Sequence, residues 1–161
     1  MKDHDTRWGM RAQAILLLLM GVVLGACREF LFINLNYQID HTARHTRFSY
    51  AHSLFQGWTG SMDLGGLLRL KWLLALSFIL IMASLSVLMS RVLFDTWRHT
   101  RPLAFGFVLF AIVSLAFHAL ARWHPDFEMV SIQLSHMLQY PVVLLFLLLA
   151  AGLPGVRAST E

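Results

Sequence analysis

Four long apolar blocks, at about 12–35, 67–94, 102–121 and 129–153, leave this chain few ways to fold. The hydrocarbon core of a bilayer is about 30 Å thick and an α-helix rises about 1.5 Å per residue, so roughly 20 apolar residues make one crossing. Each block meets that length. In lipid, every backbone N–H and C=O must be paired within the spanning structure, which admits only helices or closed barrels. None of the blocks alternates with a period of two, which excludes a barrel. The expected fold is therefore all-α: a polytopic membrane protein of four transmembrane helices. Composition agrees, because 14% charged residues is well short of the roughly 25% that keeps ordinary domains in water.

The blocks have distinct edges. No charge lies between Lys71 and Arg91 in the second. Pro102 opens the third, where a missing N–H costs nothing. The fourth is entered through His124-Pro125-Asp126 and closed by Gly152, Pro154 and Gly155. Pro141 lies inside it and predicts a kink, because it removes a backbone hydrogen bond. There is no internal repeat or low-complexity tract, so residues 1–161 read as a single membrane domain with one long connection, 36–66.

With four spans, both termini share a side with the second–third loop. That side carries Lys2, Arg7, Arg11, Arg91, Arg98, Arg101 and Arg157, against Arg44, Arg47, Arg69, Lys71 and Arg122 on the other. The positive-inside rule then places the termini in the cytoplasm and the 36–66 loop outside. A pI near 9.8 reflects arginines that meet lipid headgroups; the bilayer, not nucleic acid, is the expected partner.

Cys27, the single cysteine, follows Leu24-Gly25-Ala26. A basic start, an apolar run and small residues before a cysteine resemble a bacterial lipoprotein signal. Apolar sequence resumes at Phe30-Leu31-Phe32-Ile33, however, so an uncleaved first helix is expected. Arg28 and Glu29 then lie at membrane depth, one or two turns from the outer interface. Ionisable residues there snorkel or face a partner. Snorkelling is the simpler reading; the functional one makes Arg28 and Glu29 a buried contact. Neighbours about 100° apart on a helix are not expected to pair with each other. Asn34 and Asn36 extend the polar surface into the loop.

His41, His45 and His52 fall at i, i+4 and i+11, within about 40° of one another on a helix. Together with Arg44, Phe48, Ala51, Leu54 and Phe55 they predict an interfacial amphipathic helix in the first loop, followed by a glycine-rich turn at Gly57, Gly60, Gly65 and Gly66. Tyr50 and Trp58 suit an aromatic belt. His41 and His45 also have the spacing of a metal pair, and His118 and His136 raise haem ligation as an alternative. Neither pattern is complete. Ser114, Ser131, Gln133, Ser135 and Gln139 point instead to hydrogen bonding between helices, and no metal or cofactor is expected. The sequence has no His-Glu-x-x-His motif and no glycine-rich phosphate loop, and no spacing marks a catalytic Ser/His/Asp set, so the chain is expected not to be an enzyme.

The run Arg28-Glu29-Phe30-Leu31-Phe32-Ile33-Asn34-Leu35-Asn36, then Tyr50-Ala51-His52-Ser53-Leu54-Phe55, with the four-span layout, resembles small membrane proteins encoded beside exosortases in bacteria of the Bacteroidetes type. That group has no assigned activity. The resemblance implies an accessory role in the inner membrane, beside an exosortase, a cysteine-transpeptidase-like enzyme that processes C-terminal sorting signals. It supplies no catalytic residues. The expected contact residues are Arg28, Glu29, Asn34, Asn36, His41, His45 and His52.

Overall fold

A computed structural model describes residues 2–94 and 98–152, with side-chain surroundings from Gly9 onward. Regular structure among them is all helical: α1 (Lys2–Arg44), α2 (Ser53–Thr59), α3 (Leu64–Phe94), α4 (Thr100–Leu120), α5 (Asp126–Gln139) and α6 (Val142–Gly152). α1, α3 and α4 are each long and apolar enough to cross a bilayer; α5 and α6, bent by 57° at their junction, bring the number to four if they form one broken span. Leu153, Pro154 and Gly155, expected to close the last block, lie outside the described residues, as do Arg157 and the side chains of Lys2 and Arg7.

α3 is the hub, touching α1, α4, α5 and α6. In its C-terminal half Met82, Leu85 and Met89 close on Ala14 and Leu144. Near its N-terminus Leu67 joins Leu35, Ala51 and Phe55 in a second core. α4 and α5 are fastened by reciprocal hydrogen bonds: Ser114 Oγ donates to the Ser131 carbonyl at 3.0 Å, and Ser131 Oγ to that of Ser114 at 2.9 Å. Small polar residues of this kind let transmembrane helices approach and bond directly.

One buried hydroxyl has no such partner. Ser90 Oγ, on a residue 1% exposed, makes no hydrogen bond. An unsatisfied buried hydroxyl is a net cost. Ser90→Ala is therefore expected to leave stability unchanged or raise it by up to about 1 kcal/mol, measured as a rightward shift of the unfolding curve in SDS-mixed micelles.

The fourth block breaks at the expected proline. Tyr140 is extended (φ −103°, ψ 157°), because the residue before a proline is pushed out of the helical region. Helical bonding resumes with the Leu145 N–H to the Pro141 carbonyl at 3.1 Å.

The first loop differs from expectation. α1 continues well past residue 35, to Arg44, making a rod about 64 Å long. The chain reverses at His45, which adopts φ 52°. The Thr46 N–H bonds back to the His41 carbonyl at 3.3 Å, the pattern that closes a helix through a left-handed residue. Residues 46–52 return as a strap along α1, and the helix that follows is only Ser53–Thr59. His41, His45 and His52 thus do not share one helical face. The apolar period that marked the end of the first block ends at Leu35, but the helix does not, because the strap satisfies its polar side chains.

Candidate functional site

Two glycines on α1 prepare the site. Gly21 and Gly25 let the α5–α6 break come close: a Cβ at Gly21 would run into Leu144 Cδ1 and lie 3.2 Å from Pro141 Cβ, and one at Gly25 would lie 3.5 Å from Pro141 Cδ. One turn further on, Arg28 reaches the broken backbone. Its Nε donates to Gln139 Oε1 at 2.9 Å, and its Nη1 donates to the Tyr140 hydroxyl and to Glu29 Oε2, each at 3.0 Å. The Tyr140 hydroxyl in turn donates to the same Glu29 oxygen. The guanidinium carbon lies 4.5 Å from the Phe32 ring centroid and 4.9 Å from that of Tyr140. Gln139 Nε2 is spent on Ser135 Oγ at 2.8 Å.

Arg28 is therefore not snorkelling. Its side chain is 3% exposed, whereas Glu29 is 49% exposed. The two neighbours do pair, against expectation, because Tyr140 supplies a common meeting point that helix angles alone do not show. The position beside the last turn of α5 also suits a cation, since carbonyls at a helix C-terminus carry partial negative charge.

Depth follows from a contact on α3. Lys71 Nζ donates to Asn36 Oδ1 at 2.8 Å, and α3 has no further charge until Arg91, a rise of about 30 Å that matches the hydrocarbon thickness. Arg28 lies about 12 Å along α1 below Asn36. In a bilayer that spacing puts the Arg28–Glu29 pair inside the hydrocarbon, in the half nearer Lys71.

The remaining expected residues serve the strap. Asn34 Oδ1 accepts the His52 N–H at 2.6 Å and its Nδ2 donates to the Phe30 carbonyl at 2.7 Å. Gln38 Oε1, not singled out from sequence, accepts the Ser49 hydroxyl at 2.9 Å. The i, i+4 spacing of Asn34 and Gln38 was the available signal. His52 caps α2, its Nδ1 accepting the Leu54 N–H at 3.3 Å. His41 Nδ1 bonds Thr46 Oγ1 at 2.8 Å. His41 and His45 line an open depression with Gln38, Thr42, Thr46, Gly60 and Met62. No group of three or more metal-ligating side chains occurs among the described residues. His118 packs its ring on Trp72 at 5.0 Å and His136 on Tyr140 at 6.2 Å, so the two histidines of the haem alternative have separate ring partners.

Asn34→Ala is expected to release the strap: protease cleavage within 46–52 should accelerate several-fold while the global unfolding midpoint falls by only about 1 kcal/mol. Limited proteolysis of the detergent-solubilised protein, run beside an SDS unfolding curve, measures both.

No protein-family model, curated protein or solved structure matches the chain.

Proposed function

We propose that the chain is a non-enzymatic accessory protein of a bacterial inner membrane, crossing it four times with both termini in the cytoplasm, that engages another membrane protein at Glu29, whose carboxylate Arg28 holds in place. An exosortase is the partner suggested by the sequence resemblance. Counting the bent α5–α6 pair as one span gives the even number of crossings, and the seven-to-five distribution of Lys and Arg supports the orientation.

One observation carries the contact role: a half-exposed carboxylate is held within the hydrocarbon by a buried arginine. Ionisable groups at that depth cost at least a few kcal/mol and belong to sites of function or assembly. The exposed Cys27 stands next to the pair and is the chain's only cysteine, so it accepts a single photo-crosslinker. A benzophenone maleimide at Cys27, irradiated in native membranes, is expected to give one discrete adduct with a second membrane protein. Adducts to lipid alone would overturn the proposal. An exosortase in the adduct supports the named partner; a different membrane protein removes that name.

A further inference from the structure

Building on that accessory role, we infer that the exposed face of α1 centred on Glu29 seats a partner's transmembrane helix carrying an uncharged hydrogen-bond donor, such as an asparagine amide, level with the Glu29 carboxylate. Ile15, Leu19, Val22, Ala26, Glu29 and Ile33 are all exposed, and their alternating steps of four and three form one continuous stripe along a helix. The stripe is apolar except at Glu29, and Ala26 one turn before it permits close approach of a second backbone.

The carboxylate dictates the chemistry of what sits there. The hydrogen bonds that Arg28 and Tyr140 give to Glu29 both go to Oε2, and Oε1 has no partner among the described residues. Left against lipid, that oxygen is an unsatisfied acceptor in a medium with no donors. The pair Arg28–Glu29 is already neutral, so a lysine or arginine on the incoming helix would add an uncompensated charge at membrane depth. A neutral donor completes the carboxylate without changing the charge. A second copy of this chain would place another carboxylate on the same stripe and supplies no such donor from Ile15, Leu19, Val22, Ala26 or Ile33.

The test uses the full chain in lipid nanodiscs, with Cys27→Ser and Gly9→Cys to carry a fluorophore; Gly9 has open space around it. The probes are synthetic polyleucine transmembrane helices bearing a single Asn, a single Lys or no polar residue, diluted until they show no energy transfer among themselves. The Asn helix is expected to associate on the order of tenfold more tightly than the plain helix. That preference should disappear in Glu29→Leu, which removes the acceptor, and in Ala26→Leu, which blocks the stripe without touching the cluster. Equal association of all three probes, or an Asn preference that survives both substitutions, overturns the inference. Preference for Lys overturns the neutral-donor assignment, and transfer between two copies of the protein reassigns the stripe to self-association. The native-membrane crosslink at Cys27 is read separately, so a partner found there without an Asn preference leaves the accessory role standing and removes only this inference.

Discussion

Replacing Arg28 by Met is expected to be the most damaging single change in the chain, lowering stability by about 3 kcal/mol. The methionine fills similar volume and is at home in lipid, so the loss is not one of packing. It comes from what is stranded: Gln139 Oε1, the Tyr140 hydroxyl and the Glu29 carboxylate all lose their cation, and hydrogen bonds to a charged group are worth about 1.5–3 kcal/mol each when desolvated. Arg28→Lys should recover less than half, because a point charge cannot serve three acceptors in fixed directions. Arg28→Met with Glu29→Gln should be milder than Arg28→Met alone, since the abandoned carboxylate was part of the cost. Unfolding in SDS-mixed micelles, monitored by far-UV circular dichroism, orders the four proteins. Equal stability of Arg28→Met and the parent would mean that the cluster does not hold the break in place.

The second large effect is expected at Gly21. A valine there sets its branched Cβ against Leu144 Cδ1 and within 3.2 Å of Pro141 Cβ. The leucine end can rotate away; the proline ring, fixed in the backbone, cannot. α6 must then move off α1, at a cost of about 2 kcal/mol, and because Gly25 and Arg28 meet the same junction the displacement should also weaken the arginine cluster. Leu144→Ala in the Gly21→Val background should restore part of the loss, whereas Gly106→Ala, with nothing within 4 Å, should leave stability unchanged or raise it by up to about 1 kcal/mol. The same micelle unfolding assay reads all three.

Much of the architecture is written in the apolar blocks and their punctuation. The absence of charge between Lys71 and Arg91 delimits α3, and Pro141 marks the bend. What the blocks do not reveal is helix that continues on polar residues. α1 passes Leu35 because Asn34 and Gln38 are bonded by a strap that begins eleven residues after Leu35, and sequence periodicity registers apolar burial, not polar side chains satisfied across a turn. The histidines illustrate the same limit: a regular i, i+4, i+11 spacing presumes an unbroken helix, and the left-handed His45 ends it.

The candidate site was half legible. Arg28 and Glu29 stand out as charges in an apolar segment, and Gln139 as a polar group between helices. Tyr140 was missed, although a Gln-Tyr pair directly before a proline in an apolar block is an unusual place for two hydrogen-bonding side chains. Their convergence with Arg28 depends on how α1 meets α6, which no local pattern encodes.

The distance along the chain between Arg28 and its partners has a bearing on biogenesis. Its bonds to Gln139 and Tyr140 join residues 111 and 112 positions apart. At ribosomal speeds of about 5–20 residues per second, α1 emerges on the order of ten seconds before the residues that will hold its arginine exist. During that interval Glu29, its immediate neighbour, is the one of its hydrogen-bond partners that already exists. Of the hydrogen bonds Arg28 makes in the finished fold, the pairing with Glu29 is therefore the one that the first helix can form by itself.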